Sequence, residues 1–154
     1  DVCSSDLVNS EQSTSFDSLI KNAIQKVLHE ARTIAVVGLS PSPDRPSHRV
    51  ASYLQTHGYR VVPVNPRATS ILGEVCHPSL SAIGETIDLV NVFRNPEDCP
   101  EIARQAVSVG AKALWLQLGI VSNEAAQIAE AGGLIAIMDR CTMVEHARMS
   151  EFDL

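Results

Sequence analysis

Hydrophobic positions along the chain switch repeatedly between helical spacing and short continuous runs. From Phe16 to Ala31, Leu19, Ile20, Ala23, Ile24, Val27 and Leu28 recur at three- and four-residue intervals, which predicts an amphipathic helix with Ser15 placed as its N-cap. The run Thr33-Ile34-Ala35-Val36-Val37 then leads into Gly38, the pattern of a strand covered on both faces. Ser47 is placed to cap a second helix that turns Val50, Ala51 and Leu54 inward and stops at Gly58, which suits a left-handed C′ position. Arg60 to Val64 reads as a second strand, Ile87 to Phe93 as a third, Lys112 to Leu116 as a fourth and Leu134 to Met138 as a fifth. Asn95-Pro96 opens a helix ending at Gly110, and Asn123 to Ala131 forms another ending at Gly132-Gly133. A last turn or helix covers Thr142 to Met149. Asn65 to Glu85, with Pro66, Gly73, Pro78 and Gly84, reads as loop with one helical turn near Leu80 to Ile83.

Strands separated by single helices predict an α/β fold: a Rossmann-like, doubly wound, mainly five-stranded parallel sheet with helices on both faces. Ligands of such sheets bind at the carboxyl ends of the strands, near the point where the winding reverses. The loops after Val37, Val64, Phe93, Leu116 and Met138 are therefore where function is expected.

Composition narrows the classes. A chain of 154 residues with 45% hydrophobic side chains can bury one core, so residues 14–154 are expected to form a single domain. The polar stretch Asp1 to Ser13 reads as a disordered leader. The formal net charge of -6 argues against a nucleic-acid partner held by bulk electrostatics. No apolar run approaches about 18 residues, so no membrane span is expected. Cys3, Cys76, Cys99 and Cys141 form no C-x-x-C pair, which suits a reduced, cytoplasmic protein.

The first candidate loop runs Gly38-Leu39-Ser40-Pro41-Ser42-Pro43-Asp44-Arg45-Pro46-Ser47. It holds one glycine where a dinucleotide fingerprint uses three. Serine hydroxyls, the Arg45 guanidinium and backbone N–H groups at a helix start can nevertheless hold a diphosphate. The same residues also suit a proline-stiffened connector in which Ser47 only caps its helix. After the second strand comes Val64-Asn65-Pro66-Arg67, where NAD-binding domains carry an acidic residue for the ribose diol. Arg67 suits a ribose phosphate instead, which NADP and coenzyme A both carry; its alternative is a solvated loop cation.

Other chemistry is sparse. His29, His48, His57, His77 and His146 lie in different predicted elements without an H-x-x-x-H pair, so no metal site is expected. Glu145 and His146 read as surface or capping residues, and Trp115 as core. Cys141 follows the fifth strand at the ligand edge, where it is either a small buried filler or a thiol activated by Arg140 or a helix N-terminus.

Six ordered blocks share one resemblance: Val36 to Ser40, Asp44 to Ser47, Val62 to Pro66, Asp88 to Arg94, Leu114 to Gly119 and Met138 to Cys141. Together they resemble the stand-alone CoA-binding domain proteins, relatives of the N-terminal domain of the succinyl-CoA synthetase α subunit, over Arg32 to about Met149. The resemblance implies that Gly38, Ser40, Arg45 and Ser47 hold the coenzyme A pyrophosphate. It implies that Arg67, with Asn65 beside it, faces the 3′-phosphorylated ADP end. Phe93, Arg94, Gln117, Leu118 and Gly119 would line the adenine and pantetheine path. The synthetase's second domain, which bears the phosphorylated histidine, has no counterpart here, and its Gly-Pro-Asn-Cys run is replaced by Met138-Asp139-Arg140-Cys141.

These readings imply a non-catalytic module binding coenzyme A or acyl-CoA, as a homodimer or within a larger assembly. The alternative is an NADP-dependent oxidoreductase or a CoA-ligase subunit needing a partner chain. No nucleophile-plus-base pair supports an enzyme.

Overall fold

The computed structural model describes residues 17–152; the leader Asp1–Ser13 and the Ser15 cap lie outside them. Helix α1 covers 17–30, and Ile24, Val27 and Leu28 form its buried stripe. Leu19, expected inward, is 65% exposed, because it stands to one side of the stripe that Ile20, Ile24, Val27 and Leu28 define.

Five parallel strands follow: β1 (Thr33–Val37), β2 (Arg60–Val64), β5 (Leu89–Val92), β6 (Ala113–Leu116) and β7 (Ile135–Ile137), in the order β2-β1-β5-β6-β7. The crossovers are α2 (Pro46–Thr56), α3 (Cys99–Ser108) and α4 (Asn123–Ala131), and α5 (Thr142–Phe152) follows β7. The third strand is shorter than Ile87 to Phe93, although Asp88 N and Phe93 N still donate to Thr33 O and Val37 O.

Alternation along each strand divides the core in two. Ala35, Val37, Val90, Val92, Leu114 and Leu116 point to the face covered by α3 and α4. Ile34, Val36, Leu89, Ala113, Trp115 and Ile137 point to the face where α1 and α2 pack. Both faces are thus apolar, as a sheet covered on both sides requires. Trp115 is fully buried, and its indole N–H donates to Arg140 O at 2.8 Å.

The stretch read as loop contains a small antiparallel hairpin, β3 (Ser70–Ile71) with β4 (Glu74–Val75), and a 3-10 turn at Leu80–Ala82. Its turn places Leu72 and Gly73 at positive φ. His77 adds a single parallel bridge to Val64 at the sheet edge.

Two helix starts differ from the sequence expectation. Arg45, not Ser47, occupies the α2 N-cap position, and Pro46 takes the first helical position without a side-chain cap. Asn95 precedes a 3-10 turn at Pro96–Asp98 that leads into α3, and its side chain caps nothing. In both cases proline at the first position fixes the helical φ without needing a capped N–H.

Candidate functional site

The winding reverses between β1 and β5, and a cleft of about 960 Å³ opens there at the carboxyl ends of β2, β1 and β5. Gly38 makes the turn out of β1 with φ +84°. A Cβ there would stand 2.7 Å from Phe93 O, so only glycine lets the two backbones come this close.

Ser47 is 6% exposed because its hydroxyl is used inside the loop: Ser40 N donates to Ser47 Oγ at 3.0 Å. Ser42 N in turn donates to Ser40 Oγ at 3.1 Å. Each hydroxyl accepts from the backbone and keeps its own hydrogen to donate. Asn65 ties the first two loops together. Its Nδ2 donates to Leu39 O at 2.9 Å, and its Oδ1 accepts from Arg67 N at 2.8 Å, an Asx turn that sets the direction of the Arg67 backbone.

Arg45, Arg67 and Arg94 all border this cleft and are exposed. The lining also carries Glu97, Asp98 and Glu101, around the start of α3. Arg94 is paired with Asp98, four residues on, at 3.0 Å. The cleft therefore carries both signs of charge, with Arg45 on the first loop and Arg67 on the second.

A second groove of about 570 Å³ adjoins the first and shares Pro46, Phe93 and Arg94 with it. Gln117, Leu118 and Gly119 form part of its wall. Gln117 is buried and turns Oε1 inward, accepting from Asn91 Nδ2 at 3.2 Å and from Thr142 N at 3.4 Å. Thr142 Oγ1 closes the network by donating to Asn91 Oδ1 at 3.2 Å. Gly119 N donates to Asp139 Oδ1 at 2.8 Å, which clamps the loop after β6 to the loop after β7.

The residues that the resemblance implies for coenzyme A thus all border two adjoining clefts on one edge of the sheet, with Gln117 facing largely inward. Arg49 and Met143, on the second groove, were missed. Arg49 had a signal, since it lies in the first turn of the helix predicted to follow the first candidate loop.

Among the described residues no group of three or more His, Cys, Asp and Glu could hold a metal ion. His146 is half-buried, not a surface residue, and its Nδ1 is 2.9 Å from the Tyr53 hydroxyl. Burial, then His57, lowers its pKa. Glu145 is also largely covered and pairs with Arg140 and Arg148. Cys141 is partly exposed on the groove, while Cys99 is fully buried and burial pushes its thiol pKa up. No helix of the described residues is long and apolar enough to cross a membrane.

A parallel sheet with this order and a cleft at its strand ends defines a Rossmann-like α/β domain. The chain belongs to the CoA-binding domain family, which matches residues 32–147. It is 42% identical over 127 residues to uncharacterized protein YneT of Bacillus subtilis (strain 168), covering 82% of this chain and 94% of that protein. It is 27% identical over 101 residues to acetate–CoA ligase [ADP-forming] II of Archaeoglobus fulgidus, covering 64% of this chain but only 15% of the ligase. Among solved structures, a hypothetical protein from Pyrococcus horikoshii OT3 superposes with a TM-score of 0.82 at 39% identity, covering 84% of this chain and 92% of that one.

Proposed function

We propose that this protein binds coenzyme A across the reversal point of its sheet and performs no turnover on its own, as a cytoplasmic binding module. The pyrophosphate lies over the first loop, held by the Ser40 and Ser47 hydroxyls and Arg45 beside Gly38. The 3′-phosphate faces Arg67, whose loop Asn65 orients. The pantetheine arm passes Phe93 and Arg94 into the second groove, along Leu118 and Gly119, with Gln117 as part of its wall.

The observation that carries this reading is the junction, through Phe93 and Arg94, of a cleft bearing Arg45 and Arg67 with an apolar groove. A ligand with a phosphorylated nucleotide at one end and a long, weakly polar arm matches both parts. Family membership supports the same ligand. The ligase similarity, confined to 15% of that relative's length, favours a second reading, a CoA-holding part that becomes active only with a partner chain.

A thermal-shift panel with CoA, NADPH, NADH and ATP tests the proposal. CoA at a hundredfold excess over its Kd is expected to raise Tm by about 5–10 °C, with little shift from the others. Neither acyl-CoA formation from ATP and a carboxylate nor NADPH oxidation should appear. A larger shift with NADPH, or turnover that tracks protein concentration, contradicts it.

A further inference from the structure

We infer that the site is built for acyl-CoA carrying a short to medium aliphatic acyl chain, and that free CoA is its weaker ligand; this rests on the CoA reading above. The second groove is lined by Val50, Phe93, Pro96, Leu118, Ile120 and Met143. Its charged lining residues, Arg49 and Arg94, are both exposed. At about 570 Å³ it falls in the range of about 300–1,000 Å³ that buries a whole drug-sized ligand. The end of a pantetheine arm does not fill such a space.

Exposed Asn95, Arg49 and Arg94 are the polar side chains left on this lining, and the buried one is turned away from it. Gln117 turns Oε1 into the buried network with Asn91 and Thr142, so the groove loses an acceptor. Both flanking loops are held by internal hydrogen bonds, Gly119 N to Asp139 Oδ1 and Trp115 Nε1 to Arg140 O. The apolar walls are therefore preformed, which lowers the ordering cost of binding. Leu118 is 66% exposed at this wall, an apolar side chain in a position that an acyl chain would cover.

Continuity fixes which end of the ligand enters. Pro46, Phe93 and Arg94 border both clefts, so an arm anchored by its phosphates at Arg45 and Arg67 leads its thioester end into the groove. An aliphatic chain there buries its methylenes against those walls.

Calorimetric titration of the intact protein with CoA, acetyl-CoA, butyryl-CoA, hexanoyl-CoA and succinyl-CoA tests this. Each fully buried methylene is worth about fourfold in affinity, and partial burial reduces the gain. Hexanoyl-CoA is expected to bind at least about tenfold tighter than acetyl-CoA, with butyryl-CoA between them and succinyl-CoA no tighter than acetyl-CoA. In Leu118→Asp, whose side chain is mostly solvent-facing, the ratio of the acetyl-CoA to hexanoyl-CoA Kd values should collapse toward one. Binding of CoA with no gain along the series, or tightest binding of succinyl-CoA, overturns the aliphatic assignment while leaving CoA as ligand. No binding of any of these thioesters or of CoA overturns the proposed function itself.

Discussion

Gly38 and Phe93 meet backbone to backbone where the winding of the sheet reverses: a Cβ on Gly38 would stand 2.7 Å from Phe93 O and 3.0 Å from Arg94 Cδ. The contact makes one glycine responsible both for the turn out of β1 and for the position of the segment that joins the two clefts.

Gly38→Ala is therefore expected to cost stability twice over. Alanine is strained at φ +84°, which is worth on the order of 1–3 kcal/mol, and its methyl group must push the Phe93 carbonyl away. Denaturant unfolding should give a lower midpoint with an unchanged slope. CoA should also bind more weakly, because Arg94 moves with its neighbour. An unchanged midpoint contradicts the close approach.

At the opposite edge of the sheet, Asp88 Oδ2 accepts from Arg32 N at 2.9 Å and Thr33 N at 3.0 Å, and Lys112 Nζ stands 3.6 Å from Oδ1. Burial pushes the Asp88 carboxyl pKa upward, but the two backbone N–H groups and Lys112 outweigh it and hold it below the ordinary value of 3.8. A pKa lower in the folded than in the unfolded chain gives stability that is full above the unfolded value and is lost as pH falls through the folded one. Stability should therefore fall as the pH drops below the ordinary carboxyl value of 3.8. Asp88→Asn keeps an oxygen for both N–H groups but does not titrate, so its decline over that window should be shallower. Asp88→Ala leaves both N–H groups unmet and should cost about 1–3 kcal/mol at neutral pH. Equal pH profiles for the Asp88→Asn variant and the unaltered protein, read by thermal unfolding, contradict this role.

Much of the architecture was legible because burial on both faces writes short, β-branched runs such as Thr33 to Val37 and Leu89 to Val92. The address of the cleft followed from the alternation of strands and helices, which puts ligands at the carboxyl ends of parallel strands, and Gly38 and Asn65 stood at strand ends where loops must turn. Side-chain assignments within loops were less legible. Ser47 looks like a helix cap in sequence because a serine near a helix start usually is one; here Pro46 already fixes the helix entry and frees Ser47 Oγ to hold Ser40 N. Gln117 looks like a ligand contact, yet its partners Asn91 and Thr142 are 26 and 25 residues away, a pairing that no local pattern announces. His146 joins Tyr53 across 93 residues and was hidden for the same reason. The hairpin β3–β4 escaped notice because two-residue strands carry no measurable alternation.

Arg67 provides the most direct test of CoA binding in this orientation. A charge-assisted phosphate contact is worth about 1.5–3 kcal/mol, which is roughly tenfold or more in affinity. Calorimetric titration of the intact protein and of Arg67→Ala with CoA and with 3′-dephospho-CoA measures it. The account predicts that the intact protein prefers CoA by at least about tenfold and that the variant binds both ligands equally; equal affinities in the intact protein, or a preference that survives in the variant, would contradict it.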